Sequence, residues 1–287
     1  MEQSSKLMDL YLKCSDYFNT GEAFNLLYDS KMDMLVTSPR PSEGELMRYY
    51  DSPNYLSHAV KDKTIYQKIY FFVRRISIMK KLRLISRFRF KGAKLLDVGA
   101  GAGHFIHGAI DSGWEGVGVE INKDAIFTGN SVRPNVIKDV AYLQGLSKNS
   151  FDVITLWHVL EHMSDLDLEI NRLKSLLSFN GRLVVAVPNF RAYDACYFQK
   201  HWAGYDVPRH LWHFSRIAIV RLFARHGMEV ESTHPLVFDS FFISLLSTKY
   251  KFGDFRVFKA ILVGLVSNIK AIYSKEFSSL IYIIKKK

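Results

Sequence analysis

The sequence predicts an α/β fold: a doubly wound parallel sheet with helices on both faces, an N-terminal appendage and a helical insertion near the C-terminus. Three observations carry that expectation. From about Lys94 onward, short apolar runs rich in β-branched residues alternate with helical stretches. The first run, Leu95-Leu96-Asp97-Val98, carries an acid and opens onto glycines at 99, 101 and 103. The next, Gly116-Val117-Gly118-Val119-Glu120, ends in a second carboxylate.

Taken in order, residues 1–63 read as a polar, turn-rich accessory segment. Pro39-Arg40-Pro41-Ser42 is an extended stretch entering a short helix, with Ser42 as N-cap and Glu45 at the third helical position. Tyr49, Tyr50, Tyr55 and His58 follow as an aromatic cluster. Residues 64–92 form a basic connecting helix. No acid occurs between Asp62 and Asp97, while ten lysines and arginines run from Lys68 to Lys94, and Ile65, Ile69, Phe72, Ile76 and Met79 recur at helical spacing. Such a face suits RNA, anionic lipid or a phosphorylated acceptor. A solvated helix face is the favoured reading, because aromatic and basic residues do not alternate as in a single-strand groove.

Residues 93–287 carry the sheet. Strands are expected at Lys94–Val98, Glu115–Glu120, Asn135–Lys138, Asp152–Trp157, Arg182–Val187, Met228–Ser232 and Ser279–Lys285. Helices are expected at Gly103–Ser112, Lys123–Gly129, Asp165–Leu177 and Arg216–His226. Ser164 and Ser215 are placed to cap the last two of these, and Gly181 and Gly227 to close them. Residues 233–278 are too long for bare loop. Their two amphipathic stretches, Phe241–Tyr250 and Phe255–Tyr273, predict a helical cap over the carboxyl ends of the strands.

The net charge is +11 and 48% of residues are hydrophobic, enough for a real core. Cys14 and Cys196 stand far apart with no C-x-x-C partner, which excludes a disulfide framework or a cysteine zinc site and fits a reducing cytoplasm. The polar, acidic start is unlike a signal peptide. The longest apolar run, Ala260–Val266, falls short of the ~18 residues of a membrane span. A soluble, cytoplasmic protein is therefore expected, with membrane-surface contact left open.

The glycine-rich turn places a dinucleotide-like ligand at the carboxyl end of the sheet, where a Cβ would hold it off the backbone. Glu120, 23 residues after Asp97, is spaced to bind the two ribose hydroxyls of an adenosine. The spacing differs from the nicotinamide fingerprint G-x-G-x-x-G, whose third glycine would fall on His104. No Gly-Lys-Ser/Thr follows, so a triphosphate loop is excluded. The stretch resembles motif I of class I S-adenosylmethionine-dependent methyltransferases, D-x-G-x-G-x-G, with Glu120 similar to their motif II acid.

A second block, Phe151-Asp152-Val153-Ile154-Thr155-Leu156-Trp157-His158-Val159-Leu160-Glu161-His162, is read as a strand ending near Trp157 and a helix starting at His158. His158 to His162 spells H-x-x-E-H, a zinc-peptidase signature. That motif belongs on a continuous helix, and a β-rich run leads into it here. Quinol O-methyltransferases of ubiquinone biosynthesis carry the similar E-x-x-E-H. His158 replaces the first glutamate, and no metal is assigned; His162 is read as a packed ring with one nitrogen bonded. A third block runs from Trp202 through Asp206, Pro208-Arg209-His210 and His213 to Ser215. It resembles the W-x-x-x-D-x-P-R-H-x-x-H-F-S segment of the methyltransferase type 23, ubiquinone-biosynthesis-like subfamily. Relatives carry a cysteine zinc ribbon before the segment that resembles Met34–Tyr50; the cysteines are missing here, so no zinc is expected.

The resemblance implies a Rossmann-like seven-stranded sheet with an antiparallel last strand, and S-adenosyl-L-methionine as cofactor. It points to Asp97, Gly99, Ala100, Gly101, Gly103, Glu120, Asp139 and Trp157 as cofactor contacts, with Asp139 near the adenine. His158, His210 and His213 are the candidate catalytic bases, since imidazole titrates near neutrality. Arg209 and His210 are read equally as a loop lock binding Asp206 or carbonyls and as groups that meet the acceptor. The segment after the fourth sheet strand, Trp157-His158-Val159-Leu160, lacks the N/D-P-P-Y/F motif of amino-methylating nucleic-acid enzymes, and no cysteine stands there for cytosine C5 chemistry. The expected acceptor is therefore an oxygen of a small or saccharide- or lipid-linked molecule. An RNA-directed methyltransferase, an NAD-dependent oxidoreductase and a non-catalytic cofactor-binding module are the alternatives.

Overall fold

The structure is a computed structural model and describes residues 8–50 and 65–287. Tyr55 and His58 of the expected aromatic cluster lie outside the described residues. Seven strands form the main sheet: β4 (Lys94–Val98), β5 (Glu115–Glu120), β6 (Ile137–Asp139), β7 (Phe151–Trp157), β8 (Leu177–Pro188), β10 (Met228–Pro235) and β11 (Ser279–Lys286). Their spatial order is β10-β11-β8-β7-β4-β5-β6. The five central and distal strands run parallel, and β11 inserts antiparallel between β8 and β10. This is a Rossmann-like, doubly wound sheet with its last strand reversed.

Both faces are covered, so the inner strands read as near-continuous apolar runs. Neighbouring residues point to opposite sides. Leu96, Ile154, Leu183 and Val185 pack on one face with Ile170, Leu173, Leu222 and Phe223. Leu95, Val153, Val184 and Ile283 pack on the other with Ile85, Phe105 and Ile106.

The helices are α1 (Glu43–Leu46), α2 (Ile65–Ser86), α3 (His104–Asp111), α4 (Lys123–Val132), α5 (Leu166–Leu176), α6 (Tyr193–Phe198), α7 (Arg216–Arg225), α8 (Asp239–Phe252) and α9 (Val257–Ser274). Ser42 and Glu45 make the expected reciprocal cap: the Ser42 amide and hydroxyl donate to Glu45 Oε2 at 2.9 and 2.7 Å, and Glu45 N donates back to Ser42 Oγ at 3.4 Å. Ser215 caps α7 by accepting from Ala218 N at 3.0 Å. Ser164 does not cap α5; Asp165 does, accepting from Leu168 N at 2.9 Å, because a carboxylate beside the first helical turn also meets the helix dipole. Gly181 lies within β8 and closes no helix, since the strand already begins at Leu177. His158 to His162 form a short 3-10 turn over Leu160–His162 rather than the start of a helix.

The leader is no loose appendage. β1 (Met8–Ser15), β2 (Ala23–Asp29) and β3 (Met34–Ser38) form an antiparallel sheet that β9 (Trp212–Phe214) completes. Phe24 and Leu26 alternate inward with Leu12 and Cys14, so the segment reads as strands once a partner face exists. Met34 pairs with Phe214, Leu35 with His213 and Val36 with Trp212. A third apolar cluster, with Leu26, Leu35, Phe190, Phe198 and Trp202, joins this sheet to the cap helices through Ile243 and Val263.

The insertion is a helix pair, α8 and α9. By length and composition α9 is apolar enough to cross a membrane, with a mean hydropathy of 1.4. This corrects the expectation that no such segment exists. Ser267, Asn268 and Lys270 interrupt the unbroken apolar run, but the helix average survives them.

Candidate active site

The register of β4 against β7 sets Asp97 beside Thr155. The Thr155 hydroxyl donates to Asp97 Oδ1 at 2.6 Å, and both side chains are buried. Burial is the main influence on the Asp97 carboxyl and pushes it up to about 7, against the Thr155 hydroxyl and the Lys81 ammonium.

Beyond Val98 the chain turns on Gly99, Gly101 and Gly103, all at positive φ. Gly99 has φ 70°, and a Cβ there would lie 2.4 Å from Val159 Cγ2. Among the described residues, a Cβ at Gly101 would meet nothing within 4 Å, so they leave the rim above the turn open. Gly99 N and Ala100 N donate to Val119 O at 2.8 and 3.0 Å, tying the turn to β5.

Glu120 closes β5 and braces the turn. Its Oε2 accepts from Gly101 N at 2.8 Å, while Oε1 accepts from Ile121 N and Asn122 N at 2.9 and 3.0 Å. Oε2 therefore keeps lone-pair capacity toward the rim. Asp139 pairs in register with Glu120 at the end of β6 and accepts from Ala141 N at 2.9 Å. Trp157, at the end of β7, packs edge-on to Phe105 with centroids 5.1 Å apart, and Lys81 Nζ sits 4.3 Å from its ring centre. Asp97, Ala100, the three glycines, Glu120, Asp139 and Trp157 thus gather at one rim of the sheet.

The histidines separate. His158 sits at φ 59° just past β7, which turns its ring under the cap. Nε2 lies 3.0 Å from Asp239 Oδ2 at the start of α8, and Nδ1 lies 3.4 Å from Glu161 Oε1. Burial works against its charge, yet the two carboxylates outweigh it and raise the imidazole to about 9. His210 Nδ1 donates to the Gly204 carbonyl at 3.0 Å, which leaves Nε2 as the acceptor nitrogen. His162 Nδ1 likewise donates to the Arg209 carbonyl at 2.9 Å, and burial drives this ring down to about 4. The two rings meet edge to face at 4.6 Å. Glu161 is 1% exposed, and among the described residues its oxygens have no hydrogen-bond partner beyond the 3.4 Å ion pair with His158. One ligand atom each from Glu161, His162 and His210 lies within 4.8 Å of the others, close enough to share a divalent ion.

His213 stands apart. The Thr37 hydroxyl donates to His210 O at 2.7 Å, so His213 Nε2, 3.1 Å away, must be the donor to Thr37. Burial holds that ring well below its ordinary value.

Arg209 is the loop lock. Nη2 donates to Asp16 Oδ1 at 2.9 Å and Asp206 Oδ1 at 2.7 Å, Nε to Asp206 Oδ2 at 3.0 Å, and Nη1 to Tyr49 O at 2.9 Å.

Asp239, Glu161 and Lys81 were not singled out as site residues from sequence. Glu161 had a signal in H-x-x-E-H. Lys81 was one of a basic run, and Asp239 was one residue of a long connection; only the folded chain brings them to Asp97 and His158.

An open parallel sheet, an acid-flanked glycine turn and a carboxylate on the next strand define a Rossmann-like, S-adenosylmethionine-dependent methyltransferase. The chain belongs to the type 23 methyltransferase domain family, whose model matches residues 72–233. S-adenosyl-L-methionine is its methyl donor. No curated protein matches the sequence. Among solved structures, the magnesium protoporphyrin IX methyltransferase of Synechocystis PCC 6803 superposes with a TM-score of 0.57 at 12% identity, covering 86% of this chain and 100% of that one. The 1,6-didemethyltoxoflavin-N1-methyltransferase of Burkholderia thailandensis gives 0.54 at 12% identity, covering 94% and 98%. An S-adenosylmethionine-dependent methyltransferase from Thermotoga maritima gives 0.52 at 14%, covering 77% and 95%. At these identities the likeness is one of fold.

Proposed function

We propose that this chain transfers the methyl group of S-adenosylmethionine to an oxygen of a small or saccharide- or lipid-linked acceptor. The observation that carries the reading is the clamp on His158 by Asp239 and Glu161, directly beyond the glycine rim. The chain's own residues fit the donor. The open rim at Gly101 admits it, and the spare capacity of Glu120 Oε2 suits ribose hydroxyls. Asp97 offers a carboxylate beside the turn, toward the methionine part; Asp139, on β6 beyond Glu120, borders the adenine side, and Trp157, on β7, lies on the opposite side of the turn. The donor, when bound, supplies an already activated methyl. The protein's task is then to orient the acceptor and exclude water, which supplies roughly 7–11 kcal/mol of such barriers.

On the acceptor side, His158 has Nε2 held by Asp239 and Nδ1 facing Glu161, so it fixes the start of α8 against the crevice and places a positive charge there, with no N–H left for the acceptor. His210 Nε2 takes the acceptor's proton. His213, enclosed by Thr37, supports that ring rather than meeting substrate. A second reading has its own support. Glu161, His162 and His210 fit a divalent ion, with carbonyls of Arg209 and Gly204 fixing both rings so that each Nε2 is presented. Such an ion would polarise the acceptor hydroxyl.

The test is incubation of the protein with methyl-labelled donor and fractionated extract, with and without chelator, followed by mass identification of the product. Label in a methyl ether or ester of a small or lipid-linked molecule supports the reading. Label confined to RNA or to amine nitrogen overturns it.

A further inference from the structure

The cap helices are built inside out. A helix of a water-soluble domain turns its large apolar residues inward and its polar ones outward. Here the buried positions of α8 include Ser240, Ser244, Ser247 and Thr248, and those of α9 are Ala260, Val263, Gly264, Ser267 and Ala271. The two helices meet through small residues and hydroxyl hydrogen bonds. Ser240 donates to Gly264 O at 3.2 Å, and Asn268 donates to Ser240 Oγ at 2.9 Å. A Cβ on Gly264 would lie 2.7 Å from Phe241 Cδ1.

The large side chains point away from the protein. Phe258 and Tyr273 are 83% and 86% exposed at the two ends of α9, and Ile261, Leu262, Leu265, Ile269 and Ile272 are about half exposed between them. These seven recur at helical spacing and form one stripe. Small residues inside and apolar residues outside is the arrangement of helices whose surroundings are lipid.

Charge selects the kind of lipid. From Ser240 to Lys275 the chain carries six basic residues, Lys249, Lys251, Arg256, Lys259, Lys270 and Lys275, against a single acid, Asp254. The apolar stripe is thus fringed by positive charge. A second copy of this face would bring like charges together, whereas an anionic headgroup layer complements them.

The helix pair lies on such a surface and does not cross it. Four residues after α9 the chain enters β11, an inner strand of the sheet. The turn between α8 and α9 carries Asp254 and Arg256. We infer that α8 and α9 form a monotopic membrane-docking surface, which seats its apolar stripe in the interface of an anionic bilayer. This inference does not rest on the methyl-transfer reading. Asp239, at the start of α8, touches His158, so docking brings the acceptor side of the crevice to the membrane.

The experiment is vesicle co-sedimentation of the full chain, without donor, on phosphatidylcholine vesicles with and without phosphatidylglycerol. The expected result is binding that requires the anionic lipid and weakens with salt. The double variant Leu265→Asp/Ile269→Asp should lower binding at least tenfold by removing apolar contact. Lys259→Glu/Lys270→Glu should lower it roughly fivefold or more per lysine. Unchanged far-UV circular dichroism and retained binding of S-adenosylhomocysteine confirm that each variant is folded. The inference is overturned if the variants bind vesicles as the parent does. It is equally overturned if the parent ignores vesicles and instead forms a dimer that Leu265→Asp/Ile269→Asp dissociates.

Discussion

Replacing Arg209 with methionine isolates the lock between the N-terminal sheet and the loop before α7. The guanidinium is 2% exposed and makes four hydrogen bonds of 2.7–3.0 Å, three to carboxylates and one to a carbonyl. Bonds to charged groups contribute about 1.5–3 kcal/mol each, so the gross loss is several kcal/mol. Two features reduce it. Methionine retains part of the apolar stem over Phe18, whose ring centre lies 4.6 Å from the guanidinium carbon. Asp16 also keeps bonds from Phe18 N, Asn19 N, Thr20 N and the Thr20 hydroxyl. What remains is the penalty of a buried carboxylate without its cation, about 3–5 kcal/mol. In a chain of this size that is a fall of roughly 5–8 °C in melting temperature. Urea and thermal unfolding read it out. Adding Asp16→Asn should recover part of the loss, because one of the two orphaned carboxylate charges is then gone while Asp206 keeps its own. A change below about 1 kcal/mol would refute the lock and return Arg209 to the acceptor.

Other outcomes follow from the same geometry. Glu120→Ala should weaken S-adenosylmethionine binding roughly tenfold to hundredfold by calorimetry, since it removes both a hydroxyl acceptor and the brace on Gly101; unchanged affinity would remove Glu120 from the cofactor site. Gly99→Ala should cost about 2 kcal/mol or more from positive φ and collision with Val159, and Val159→Ala should relieve the collision but not the backbone strain. His158, raised from 6.5 to about 9, contributes stability that is fully present below about pH 6.5 and lost as the pH rises through about 9. In chelator-treated protein, Asp239→Asn should pull its titration, followed by NMR, back toward neutrality; a wild-type ring titrating near 6.5 would refute the clamp. Asp97, pushed up to about 7, is mostly protonated at pH 6. A sulfonium favours its carboxylate, so the preference for S-adenosylmethionine over S-adenosylhomocysteine should grow up to about tenfold between pH 6 and 8, and Asp97→Asn should flatten that rise.

The glycine turn and the strand–helix alternation were legible in the sequence because both are local. Positive φ at three alternate glycines and apolar runs with period two are written within a few neighbouring residues. The Asp97–Glu120 pair was legible for the same reason, being two ends of one β-α-β unit. Strand pairing across the chain was not. Leu35 meets His213 and Asp16 meets Arg209, each nearly 180 residues or more apart, and no local pattern encodes which edge a leader strand will seek. The turn from His158 to His162 shows the limit even at short range. Its spacing suited a helix, but tertiary contacts with β8 and the Pro208–Leu211 segment hold it as a single 3-10 turn, with His158 N bonded to Ala186 O and Leu211 N to Glu161 O.

Length and periodicity established that the cap segment was helical and amphipathic. Which stripe of α9 faces the protein was decided only when α8 packed against it. Gly264 admits the backbone of Phe241 so closely that the small face had to turn inward, leaving Phe258, Leu265 and Tyr273 outside. A side chain's chemistry is a local property, but its exposure is set by the neighbour that arrives from elsewhere in the chain.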